Sequence, residues 1–180
     1  MANNCLFDAR ISGKKKNVEE FIKMLQHKDE YKADGLGSVF SCEIADDMVL
    51  ELANDEDIIS VDVFGDCAWS INSAMRNKHC RNLESETKRL NVVFEAYSSE
   101  PGCQFQEYVL VDRGQVLRDD CVDYEEYWVQ EYDTIEEFNE EYDKNFTEDM
   151  VNDNGDVCIG GFGDQYGQFE YFKKEHFEEV

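Results

Sequence analysis

Ile58-Ile59-Ser60-Val61-Asp62-Val63-Phe64-Gly65 is the stretch that decides the fold class. β-Branched and aromatic residues dominate it, only Ser60 and Asp62 interrupt the apolar run, and a glycine closes it. It therefore reads as a strand over 58–64 with two apolar faces. On its N-terminal side, Cys5, Phe7, Ala9 and Ile11 alternate with Leu6, Asp8, Arg10 and Ser12 up to Gly13, the period of a half-buried strand. Asn17 with Glu20 then forms a capping-box variant, and Val18, Phe21, Ile22 and Leu25 make one helical stripe. Gly35 and Gly37 break the chain before a second strand over 38–44, and 45–57 is an acidic connection with room for a helical turn.

Working outward on the C-terminal side, Ser70 caps a helix carrying Ile71, Ala74 and Met75, and 83–90 forms a second helical piece. Asn91 leads into a strand over 92–97. To this point the order is β-α-β-β-α-β, the ferredoxin-like split βαβ arrangement. Pro101, the only proline, marks a turn over 98–102, and strands over 105–111 and 115–119 pair across Asp112-Arg113-Gly114. Thr134 with Glu137 opens an amphipathic helix marked by Ile135, Phe138 and Tyr142. Glycines at 160, 161, 163 and 167 suggest a loose final hairpin within 157–172. The expected fold is α+β: a ferredoxin-like core with an added hairpin over 1–118, and an acidic, aromatic-rich α/β extension over 119–180 packed on it.

Charge is concentrated in that extension. Residues 119–143 hold twelve carboxylates and no lysine or arginine, in a chain of net charge -25. A one-sign surface repels nucleic acid and speeds encounter with a basic partner. Tyr124, Tyr127, Trp128, Tyr132, Phe138, Tyr142 and Phe146 are threaded through the acids, which marks a folded segment and not a disordered tail. No run approaches the ~20 apolar residues of a membrane span, and the N-terminus has no apolar stretch ahead of a cleavage site. A cytoplasmic chain with no membrane partner is expected. Its seven cysteines are never closer than 13 residues and form no Cys-x-x-Cys, so reduced thiols buried as small hydrophobes are expected.

The common chemical signatures fail one by one. With Gly155 as the sixth position of a calcium loop, Met150 would be the first and Gly161 the twelfth, so the register fails and an EF-hand is excluded. His79 adjoins Cys80 on a helix and cannot face it; His27 and His176 read as surface residues. Gly160-Gly161-Phe162-Gly163 lacks the lysine of a phosphate loop. No catalytic residue, cofactor or metal is assigned. Asp8, Glu43 and Asp62 on three strands raise one enzymatic alternative, a metal-dependent nuclease that trims guide RNA. Lys14-Lys15-Lys16 and the Arg76, Lys78 and Arg81 region are basic, but the net charge opposes autonomous nucleic-acid binding.

The runs Gly65-Asp66-Cys67-Ala68-Trp69-Ser70, Leu90-Asn91-Val92-Val93-Phe94-Glu95-Ala96-Tyr97, Ser98-Ser99-Glu100-Pro101-Gly102 and Phe105-Gln106-Glu107-Tyr108 with Gly114 resemble YubB-like ferredoxin-like proteins of plasmids, phages and conjugative elements. The likeness spans 59–123, and a run at Gly65 replaces the Trp-Gly-Thr-Lys-Trp signature of many plasmid members. It implies a mobile-element protein in a bacterial cytosol; the small acidic proteins of such elements include anti-CRISPR inhibitors of the type II effector nuclease, the type II-A class included. That nuclease holds its heteroduplex in a basic channel. The expected partner is thus a basic nucleic-acid-binding protein, a CRISPR effector with its guide RNA. The expected contact surface is Asp119, Asp120, Asp123, Glu125, Glu126, Glu131, Asp133, Glu136, Glu137, Glu140 and Glu141, with Tyr124, Tyr127 and Trp128 as anchors where they are not core. A non-enzymatic accessory role in a mobile element is the plain alternative.

Overall fold

Ile11 sits opposite Val61 on one neighbouring strand and Phe94 on the other, at the middle of one antiparallel sheet. The computed structural model describes residues 4–26, 38–76 and 82–177, without the side chains of Lys174 and His176. Its elements run β1 (Asn4–Lys14), α1 (Lys15–Leu25), β2 (Val39–Ile44), α2 (Met48–Leu52), β3 (Ile58–Ala68), α3 (Ile71–Met75), α4 (Leu83–Leu90), β4 (Val93–Glu100), β5 (Phe105–Asp112), β6 (Gln115–Tyr127), α5 (Ile135–Tyr142) and β7 (Val157–Gly160). Seven strands in the order β2-β3-β1-β4-β5-β6-β7 form the sheet, every neighbouring pair antiparallel. The fold is α+β, with a sheet larger than the four strands of a ferredoxin-like arrangement. Among the described residues no helix is long and apolar enough to cross a membrane.

The sheet buries both faces against different covers. Phe7, Ile11, Phe94 and Val109 pack under Phe21 and Leu25 of α1, Ile71 and Met75 of α3, and Leu83 of α4. On the other face, Val93, Tyr97, Tyr108 and Leu110 are covered by Phe162, Tyr166, Phe169, Tyr171 and Phe177 from the C-terminal segment. A third small core, Val129, Phe138, Phe146 and Val157, holds α5 beside the end of β6. The sheet is therefore sandwiched between helices and a C-terminal strap.

Several sequence expectations are corrected here. β3 does not stop at Gly65 but runs to Ala68, and it buries one face only, through Ile59, Val61 and Val63. Gly65 is required by close approach: a Cβ there would stand on the Ser41 carbonyl of β2. Asn17 is not a cap, because α1 springs directly from β1. Its first amides donate to the Asp57 and Asp55 carbonyl oxygens at 2.9 and 3.3 Å, so the acidic loop satisfies the helix start. β4 carries through Ser98 to Glu100, and the turn is confined to the residues after it. The expected caps Ser70 and Thr134 do accept amide hydrogen bonds, from Ser73 and Glu137, and Asn82, which was not among the expected caps, caps α4 by accepting from Ser85.

β6 extends far beyond residue 119, and the expected division at 118/119 falls inside it. Asp119 to Asp123 continue the ladder with β5, and Tyr124 to Tyr127 pair with β7. The expected terminal hairpin is replaced by β7 pairing back onto β6, followed by coil and short 3-10 turns. Left-handed backbone at Gly160, Gly161 and Gly163 turns the chain off the sheet edge and over its face. Aromatic residues then recur at intervals that let them land on the β4–β5 face. Gly35, Gly37, His27, Lys78, His79, Cys80 and Arg81 lie outside the described residues.

Candidate functional site

α5 is built to show acid on one side and rings on the other. Thr134 Oγ1 accepts from the Glu137 amide at 3.3 Å and fixes the helix start. Phe138 is buried, stacked on Tyr142 at 4.6 Å between ring centroids and on Phe146 at 5.9 Å. Asn139 clamps the following loop, donating to the Phe146 carbonyl at 2.8 Å and accepting from its amide at 2.9 Å. With Ile135, Phe138 and Tyr142 on the inner arc, Glu136, Glu137, Glu140 and Glu141 occupy the opposite, exposed arc. Glu136 with Glu140 and Glu137 with Glu141 are like-charge i,i+4 pairs, each costing about 0.2–0.5 kcal/mol of helix stability. Lys144, just beyond, turns away: its Nζ donates to the Tyr127 hydroxyl at 2.8 Å and lies 4.7 Å from that ring centroid.

The carboxylates of β6 do not join this surface as one group. Strand alternation puts Asp119, Asp123 and Glu125 on the helix side of the sheet and Asp120 and Glu126 on the strap side. Two are already neutralised. Asp119 accepts from Asn72 Nδ2 at 2.6 Å and from Arg76; burial raises its pKa, but these partners outweigh it and hold the carboxyl below its ordinary range. Asp120 accepts from Arg118 Nε at 2.9 Å, and that guanidinium lies over Tyr108. Glu125 accepts from the Tyr127 hydroxyl. Glu131 and Asp133 are exposed on the segment leading into α5.

The three aromatic residues expected as anchors separate equally clearly. Tyr124 is 7% exposed, and burial pushes its hydroxyl up to about 12, so it belongs to the core. Tyr127 is half-buried against Phe146, 5.0 Å between centroids. Trp128 is 58% exposed and walls a cavity of about 260 Å³ together with Glu126, Glu131, Tyr132, Phe138 and Tyr142. Tyr132 and Tyr142 meet edge to face at 6.1 Å. The hydrogen bond between their hydroxyls, at 3.4 Å, is the main cause raising Tyr132 above the ordinary tyrosine range.

No family profile, curated protein or solved structure matches this chain.

The remaining candidates disperse. Asp8 and Glu43 both lie opposite Phe64, which stands between them on β3. Asp62 is engaged by Arg10, through Nε at 2.7 Å and Nη2 at 2.8 Å. The three strand carboxylates thus do not converge, and no group of three His, Cys, Asp or Glu among the described residues could hold a metal ion. Lys14 and Lys16 both pair with Glu56, whose carboxyl they hold down at about 2, while Lys15 Nζ donates to the Ala53 carbonyl at 3.0 Å. The basic loop is thereby matched by its own acidic neighbour. Cys5, Cys42 and Cys67 are buried as small hydrophobes, but Cys103, Cys121 and Cys158 are exposed, because they fall on a turn and on edge-strand positions that face outward. The cavity residues Tyr132 and Tyr142 were readable as rings within the acidic run; that Tyr142 caps an open cavity and not a core had no local signal.

Proposed function

We propose that the chain is a mobile-element inhibitor acting in a bacterial cytoplasm, docking the acidic arc of α5 on a basic nucleic-acid-handling defence protein, the guide-loaded type II CRISPR nuclease. The observation that carries this reading is the set Glu136, Glu137, Glu140 and Glu141 on one exposed helical arc, in a helix that contains no lysine or arginine. Ordinary surfaces intersperse both signs, and a helix that repels itself gains from meeting a cationic groove. The contact surface is narrower than the acidic run as a whole, since Asp119 and Asp120 are paired internally. The adjacency β2-β3-β1-β4, with helices on one face, supports the finer reading of residues 4–100 as a ferredoxin-like core to which three strands are added.

The test is DNA cleavage by the guide-loaded nuclease at rising concentrations of the protein. Inhibition by the native chain, lost when all four α5 glutamates are changed to lysine, supports the docking surface. Undiminished cleavage at a large molar excess of native chain overturns it. Guide RNA run on a denaturing gel, with and without chelator, distinguishes occupation from trimming: occupation leaves the guide intact in both lanes.

A further inference from the structure

We infer that the cavity beside Trp128 receives a single arginine side chain of the basic partner; this rests on the docking reading and names its recognition element. Its volume of about 260 Å³ is below the roughly 300–1,000 Å³ of sites for whole small molecules and suits one side chain. The walls are rings held by their own packing: Phe138 stacks on Tyr142 at 4.6 Å, and Tyr132 meets Phe138 edge-on at 5.1 Å. Trp128 makes no ring contact with any described residue, leaving a large π face open. Glu126 and Glu131 flank it, and neither carboxylate has a hydrogen-bond or salt-bridge partner among the described residues. An open indole with two unneutralised carboxylates attracts a cation through both the ring quadrupole and direct charge.

The same chemistry is already used on Tyr127, itself part of the cavity wall, and on Tyr108. Lys144 lies over Tyr127 and Arg118 over Tyr108, at 4.7 and 4.6 Å from the centroids. Lys144 does not line the cavity, so the Trp128 face stays open to an incoming cation. A guanidinium fits better than an ammonium, because its plane stacks on indole while its forked N–H groups reach carboxylates.

The test uses a Trp69→Phe background, which leaves Trp128 as the only tryptophan, and three capped peptides: tetra-arginine, tetra-lysine and tetra-citrulline. Tetra-arginine is expected to shift Trp128 fluorescence and, with affinities read by titration calorimetry, to bind about tenfold more weakly to a Trp128→Ala variant, with Trp128→Phe intermediate. Tetra-citrulline, uncharged, is expected to leave the fluorescence unchanged. Changing the four α5 glutamates to glutamine is expected to weaken both cationic peptides while keeping the preference for arginine. Equal tetra-arginine affinity of native and Trp128→Ala proteins, with circular dichroism unchanged, overturns the arginine cavity and leaves the α5 surface standing. Full affinity of the glutamine variant alongside loss in Trp128→Ala does the reverse: it supports the cavity and removes α5 from the docking surface.

Discussion

Arg10 Nη1 donates to the Phe169 carbonyl oxygen at 3.1 Å, and its guanidinium lies 5.2 Å from the centroid of the same residue's ring. With its other nitrogens on Asp62, Arg10 ties β1, β3 and the C-terminal strap together at one point. Glu95, 1% exposed, performs the matching task one strand over. It accepts from Tyr108 Oη at 2.8 Å and from the backbone amides of Glu170 and Tyr171. The strap is thus held to the sheet by a charged side chain at each of two successive positions.

Arg10→Ala is expected to cost about 1–3 kcal/mol, since it removes charge-assisted hydrogen bonds that are only partly exposed and leaves Asp62 without its fork. Urea denaturation measures the loss. Limited proteolysis within 162–177 is expected to speed up at the same time, because the strap loses an anchor.

Alkaline pH is expected to destabilise the fold. Burial pushes Tyr124, Tyr166 and Tyr171 up to about 12 from an ordinary 10.0, and Tyr171 also donates to Asp112 Oδ2 at 2.8 Å. A group that keeps its proton more tightly when folded stabilises the fold fully below its unfolded pKa. That contribution is therefore present below pH 10 and is lost as pH rises toward 12. Tyrosinate absorbance against pH should show a late, cooperative step coinciding with loss of far-ultraviolet circular dichroism.

Glu140→Lys is expected to raise stability while weakening function. It ends the repulsion from Glu136 and substitutes an oppositely charged i,i+4 pair in the favourable order, together worth about 0.5–1 kcal/mol. For a chain of this size that is a rise in Tm of roughly 2 °C. Calorimetry reads the stability, and nuclease inhibition reads the proposed function; opposite signs are the expected signature of a surface kept for binding.

Gly65→Ala is expected to detach β2 from the sheet edge. The added methyl meets the Ser41 carbonyl, a backbone atom that cannot rotate aside, at a cost of about 1–3 kcal/mol. Hydrogen exchange should then accelerate in β2 before it does in β1 or β4.

Periodicity in the sequence located most elements, since stripes such as Val18, Phe21, Ile22 and Leu25 act over a few residues and are buried as read. What local patterns did not contain were long-range substitutions of partner. The start of α1 is satisfied by the Asp55 and Asp57 carbonyls and not by Asn17, and the lysines beside it are matched by Glu56. The acidic run read as one surface, yet strand alternation splits Asp119 from Asp120 and pairs them with Arg76 and Arg118. Only its helical part, where the period gathers acids on one arc, keeps the concentration that composition suggested. Tyr124 and Trp128 read alike as candidate anchors; that Tyr124 is buried and Trp128 exposed had no local signal, because the burial of Tyr124 depends on β7 and the strap arriving over it.

The most direct measurement is the affinity of the protein for the guide-loaded type II nuclease across a salt series, for the native chain and for the variant with Glu136, Glu137, Glu140 and Glu141 all changed to lysine. Steep weakening with salt for the native chain, and a loss of at least about tenfold at low salt for the variant, is the expected result. Equal affinities and parallel salt dependence, with both proteins folded, would contradict an acidic helix as the docking surface.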